Sequence, residues 1–85
     1  MYVKYFTSES GIKYSRMNLA KQVGNNIKEA RKAKRLTQKE LAKILHMTQQ
    51  QYSRFENGVF ELNYQQIVEI CKLLDLTPNE LFDFI

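Results

Sequence analysis

The 85-residue sequence contains one cysteine, Cys71, and one histidine, His46, too few to build a disulfide or a multi-ligand zinc site within one chain. No apolar run approaches the roughly 18 residues that span a bilayer. The start, Met-Tyr-Val-Lys-Tyr-Phe, lacks the basic region, long apolar stretch and small-residue cleavage site of a secretory leader. No membrane association is therefore expected, and the cytoplasm is the expected compartment. A Ser/His/Asp set, a glycine-rich phosphate loop and a cluster of metal ligands are all missing, so neither an enzyme nor a cofactor is expected. His46 falls between two predicted helices and receives no chemical role. The length suits one small domain, which buries only ~60–65% of the surface of its unfolded chain, and leaves no room for a second.

What is abundant is positive charge, unevenly placed. Residues 1–58 hold 12 Lys and Arg against 4 Asp and Glu, whereas residues 59–85 hold 1 against 5, for a net charge of +4. A basic portion suits a polyanion and the acidic remainder would turn away from it. A solvated basic face without a partner fits the charge equally well.

Helix starts recur with one chemistry. Thr37-Gln-Lys-Glu40, Thr48-Gln-Gln-Gln51 and Thr77-Pro-Asn-Glu80 each fit a capping box, in which the threonine hydroxyl accepts from the amide three residues on and the Glu or Gln reaches back. Asn63-Tyr-Gln-Gln66 is a version built on asparagine, and Pro78 sits where its missing N–H costs nothing. These signals predict helices over 38–45, 49–57, 64–74 and 78–83. Upstream, Leu19, Val23, Ile27 and Ala30 share one helical stripe, predicting a helix from after Asn18 to about Lys34. Ile67, Ile70, Cys71 and Leu74 form a second buried stripe, which makes Cys71 a small core residue and not a reactive thiol. The expected fold is all-α and compact, with five helices. Residues 1–16 read as an extension: β-prone 2–6 and 12–15 flank the turn-like Ser8-Glu-Ser-Gly11. A marginal hairpin arm and a disordered tail fit it equally, and Met17 would itself serve as a start for the domain over 17–85.

Between Thr37 and Gly58, two short helices are joined by His46-Met-Thr48, a linker too brief for antiparallel packing, so they must cross steeply. That is a helix-turn-helix arrangement, whose second helix projects into the major groove of double-stranded DNA. Tyr52 and Phe55 share its inner face with Leu41, Ala42 and Leu45. The outer face carries Gln49, Gln50, Ser53, Arg54 and Asn57. Glutamine can bond adenine N6/N7 with both ends of its amide, and arginine can do the same to guanine O6/N7. A merely solvated helix face is the plainer reading, but three consecutive glutamines are poor material for solubility.

Here the sequence resembles the Cro/CI-type (XRE-like) helix-turn-helix family of phage repressors and small bacterial regulators. The resemblance covers residues 19–82 and is strongest over Leu36-Thr-Gln-Lys-Glu-Leu-Ala-Lys-Ile-Leu and Thr48-Gln-Gln-Gln-Tyr-Ser-Arg-Phe-Glu-Asn-Gly58. It implies a lambda-repressor-like DNA-binding domain that reads bases with Gln49, Gln50 and Arg54; Ser53 on the same face is a further candidate base contact. It further implies that Gln38 touches a phosphate and braces the first reading residue; Lys39, Lys43, Thr48 and Asn57 are other candidate phosphate contacts. Arg31 and Glu56 match a structural ion pair of the family, and Gly58 its left-handed helix terminator. Family members often have a basic residue soon after that glycine and a proline before the fourth helix, whereas Val59-Phe-Glu-Leu62 supplies neither. Lys28, Lys32, Lys34 and Arg35 are further candidate anchors.

The expected function is sequence-specific DNA binding by a transcriptional regulator, with a repressor as the first reading. The alternative is an antitoxin-type or other protein-interaction module using the same domain, with a toxin as partner. Of the apolar C-terminal side chains Phe60, Tyr64, Phe82, Phe84 and Ile85, some must be buried in the fold, and Phe82, Phe84 or Ile85 is the expected seat of a homodimer contact, with strand pairing between N-terminal arms as the second candidate.

Overall fold

The computed structural model describes residues 16–83; of the hairpin or tail expected over 1–16 all but Arg16, which begins the first helix, lies outside the described residues, as do Phe84 and Ile85. Five α-helices follow one another there with no strand between them: α1 (Arg16–Ala33), α2 (Gln38–Ile44), α3 (Gln49–Glu56), α4 (Tyr64–Leu74) and α5 (Pro78–Phe82). The all-α, five-helix expectation holds. Helix α1 starts before the expected cap at Asn18, because Arg16 and Met17 are good helix formers and nothing there stops the helix. Helices α2, α3 and α5 each end one residue sooner than expected, at the caps Leu45, Asn57 and Asp83.

All four capping boxes are formed, at Thr37, Thr48, Asn63 and Thr77. At the start of α3 the Gln51 amide donates to Thr48 Oγ1 at 3.1 Å and the Thr48 amide to Gln51 Oε1 at 3.0 Å. Each such cap contributes about 1 kcal/mol, which matters for helices too short to form alone. The opposite ends of α1, α2 and α3 close alike, with Arg35, His46 and Gly58 in the left-handed region at φ 59°, 58° and 74°. The amide of each donates back three residues, and the next amide donates back five, as in Val59 N–H to the Arg54 carbonyl at 2.8 Å. His46 thus has a structural role after all: it turns the chain from α2 towards α3.

Ile27, Leu41, Tyr52, Ile70 and Leu81 are fully sealed from solvent, joined by Leu74 and Ala42. Each large side chain contributes roughly 1.5–3 kcal/mol by leaving water. Of the predicted α1 stripe only Ile27 is fully buried, while Val23 and Ala30 pack at its edge. Leu81, on the shortest helix, belongs to the centre of the core and was not singled out from the sequence. Cys71 packs half-buried against the core, and burial pushes its thiol up, which keeps it protonated.

Helix α1 packs against α3, α4 and α5, and α2 packs on α3. Two glycines let α1 approach the end of α3. A Cβ on Gly24 would stand 2.5 Å from the Glu56 carbonyl oxygen, and one on Gly58 would stand 2.7 Å from Lys21 Cα. From the same stretch of α1, Asn26 Nδ2 donates to the Leu81 carbonyl at 3.0 Å and Gln22 Nε2 to Asp83 Oδ2 at 2.6 Å. These contacts tie α1 to α5 and leave the outer face of α3 uncovered.

Candidate nucleic-acid interface

The inner face of α3 is spent on Tyr52, Phe55 and Glu56, which are buried against α1 and α2. Its outer face is open. Gln49 and Gln50 are exposed, Ser53 and Arg54 half-buried, and these four line a shallow depression with Gln38 of α2. The structure thus brings together the residues singled out for base reading. Amides, a hydroxyl and a guanidinium line this surface without a carboxylate, a donor and acceptor set that matches base edges in the major groove. Gln50 and Arg54 stand about one turn, 5.4 Å, apart along the helix axis. Gln51 is different: its side chain folds back into the cap and leaves the reading face to its neighbours.

The residues expected at phosphates surround this surface. Lys39 and Lys43 are exposed one turn apart on α2. Thr48 accepts through its oxygen at the α3 cap, which leaves its hydroxyl proton for an outside acceptor. Asn57 is exposed and its Nδ2 donates to Ser53 Oγ at 3.3 Å. Lys32 and Arg35 are exposed, whereas Lys34 pairs with Asp75. The Gln38 amide nitrogen donates to Glu56 Oε1 at 2.9 Å, so it braces that buried carboxylate, with its second N–H and its carbonyl oxygen still available.

Beneath the depression lies a buried polar network. Arg31 Nε donates to Glu56 Oε2 at 2.6 Å and Arg31 Nη2 to Glu56 Oε1 at 3.2 Å. Arg31 Nη1 donates to the Leu36 carbonyl at 2.7 Å, and the Tyr52 hydroxyl donates to Glu56 Oε2. Arg31 is 8% and Glu56 5% exposed, yet among the described residues no buried side-chain polar atom lacks a partner. Burial pushes the Glu56 carboxyl up, but hydrogen bonds from Arg31, Tyr52 and Gln38 and the Arg31 charge outweigh it and hold it below the usual value. Arg31 is raised, chiefly by its bond to Glu56, and Tyr52 is raised by burial and by donating to Glu56. The network fixes the first turn of α2 and the last turn of α3 to α1, and so sets the angle at which the reading face is presented. The Tyr52 hydroxyl was missed from sequence, though its spacing of four from Glu56 on one helix could have suggested the bond.

A helix-turn-helix family model matches residues 27–81. The uncharacterized HTH-type transcriptional regulator YqaE of Bacillus subtilis (strain 168) is 36% identical over 56 residues, 66% of this chain and 48% of that protein. Antitoxin PezA of Streptococcus pneumoniae serotype 4 is 36% identical over 55 residues, 65% of this chain and 35% of that protein. The matched region spans less than half the length of either relative. Among solved structures, the restriction-modification controller protein C.AhdI from Aeromonas hydrophila superposes with a TM-score of 0.71 at 26% identity, over 81% of this chain and 100% of that one. The clp gene regulator ClgR from Corynebacterium glutamicum has the same fold, with a TM-score of 0.71 at 21% identity over 78% of this chain and 85% of that one. With the capped α2 and α3, the family model across 27–81 and these relatives, the chain belongs to the XRE-type helix-turn-helix family of DNA-binding regulators.

Proposed function

We propose that this chain binds double-stranded DNA sequence-specifically, with α3 in the major groove, and acts in the cytoplasm as a transcriptional repressor by occupying its operator. The observation that carries this reading is the gathering of Gln49, Gln50, Ser53 and Arg54 on the uncovered face of α3. Gln49 and Gln50 suit adenine, Arg54 suits guanine, and Ser53 suits either. Gln38, Lys39, Lys43, Thr48 and Asn57 fix the register through phosphates. Replacing Arg54 with Ala should cost about 1–3 kcal/mol on the selected site and far less on random DNA, measured by titration of both duplexes at one salt concentration. Equal losses on the two would overturn the base-reading role.

A homodimer fits the same reading, because one short helix contacts too few bases to single out a site among ~10⁶ or more competitors. Phe82 lines an apolar groove of about 280 Å³ with Leu19, Val23, Phe60, Tyr64 and Ile67, adjoining Phe84 and Ile85 in sequence. A second copy seated there would leave α3 of each subunit facing DNA. Sedimentation should give a dimer for the full chain and a weaker one without residues 83–85; a monomer on DNA would contradict it. The likeness to PezA supports a second reading, in which the domain belongs to an antitoxin with a toxin as partner. A neighbouring gene whose toxicity this protein relieves would favour that reading.

A further inference from the structure

We propose that Phe60 is a positioning residue for Arg54: its ring holds the guanidinium at the edge of the reading face, ready for a guanine edge. The inference rests on the reading that Arg54 contacts a base. Arg54 Cζ lies 5.5 Å over the Phe60 centroid, within the range of a cation–π contact. The ring is itself fixed from below, edge to face against the buried Phe55, with centroids 6.4 Å apart and planes at 65°. The backbone joins the same two residues, since the amides of Val59 and Phe60 both donate to the Arg54 carbonyl, at 2.8 and 3.3 Å. The left-handed turn at Gly58 is what folds Phe60 back to this place.

The chemistry of the contact distinguishes it from an ordinary anchor. A carboxylate partner would occupy the donor fork and neutralise it, as Glu56 does to Arg31. An aromatic ring accepts no conventional N–H hydrogen bond in the plane of the guanidinium and does not neutralise it, so the donor fork stays available for a bidentate bond to guanine O6 and N7. Holding the side chain beforehand removes rotamer freedom that would otherwise be lost on binding.

The test is a double-mutant cycle on the selected duplex and each of its single-base variants, with random duplex as the non-specific reference. Phe60→Leu and Phe60→Met should each lower discrimination at the Arg54 base pair by about two- to five-fold. Phe60→Tyr, which keeps the ring, should match the original protein, and no Phe60 substitution should change random-duplex binding. In an Arg54→Ala background, Phe60→Leu should have no further effect on discrimination. Melting by circular dichroism confirms that every variant is folded at the assay temperature, and two ringless variants guard against the loss of one. If Arg54→Ala removes discrimination at one base pair while Phe60→Leu and Phe60→Met leave it intact, the positioning role alone is overturned. If Arg54→Ala leaves every base pair equally discriminated, the base-reading role falls and this inference with it.

Discussion

Replacing Glu56 with Ala is expected to cost about 3–5 kcal/mol, because removing one partner of a buried pair strands the other. Arg31 would lose its acceptor on two of its nitrogens, and Tyr52 and Gln38 would each lose theirs, at a site where Arg31 is only 8% exposed. Small domains have only about 5–15 kcal/mol of stability in all, so the variant should melt many degrees lower or be unfolded at 37 °C. Glu56→Gln keeps an acceptor and loses the charge, and should fall between the two. An unchanged melting midpoint for Glu56→Ala would show that the network does not anchor the fold.

The same carboxylate sets a pH dependence. Its folded-state value lies below the ordinary 4.5 of the unfolded chain, so its contribution is fully present above about that pH. It is lost as pH falls from there through the depressed value, where the folded protein must take up a proton. Stability of the original protein should therefore drop on acidification below pH 4.5, and Glu56→Gln should drop less steeply. The pH at which each protein reaches half its neutral-pH melting temperature gain checks this sign.

Gly24→Ala is expected to destabilise by about 2–3 kcal/mol, against the ordinary preference of helices for alanine. Helix propensity alone predicts a gain of roughly 1 kcal/mol in the interior of α1. The added Cβ, however, would stand 2.5 Å from the Glu56 carbonyl oxygen and nearer still to that of Phe55, and these are backbone atoms that cannot turn aside. Helix α3 must move as a body, and overpacking of this kind costs about 1–3 kcal/mol or more. On the proposed reading of bases by α3, specific DNA binding should weaken further than stability does. Urea denaturation compared with binding to the selected duplex measures both, and a more stable variant would contradict the close approach of α1 and α3.

The capped helices were legible because their signals are local: Thr37, Thr48, Asn63 and Thr77 each stand three residues before a Glu or Gln. The outer face of α3 was legible in part for the same reason, since helical spacing puts residues 50 and 54 opposite Tyr52 and Phe55, with 53 at the flank; Gln49, three residues before Tyr52, came from its place at the helix start and from the resemblance. What escaped is made by tertiary contact. Arg35 and His46 adopt left-handed turns that glycine usually fills, and nothing in their chemistry announces it. Gly24 interrupts no apolar stripe, and only the nearness of α3 explains it. Phe60 reads as one more apolar residue until the Gly58 turn brings it against Arg54. The bond from Gln38 to the Glu56 carboxylate likewise depends on how α2 meets α3.

The most direct measurement of the central claim is selection of bound duplexes from a random pool by the full chain. The account predicts one enriched motif with two-fold symmetry, its half-site centres about 10 base pairs apart or a multiple of that. It also predicts that Arg54→Ala, taken through the same selection, loses preference at one position of each half-site while retaining the rest. A pool that shows no enriched sequence, or the same motif unaltered for Arg54→Ala, would contradict sequence reading by α3.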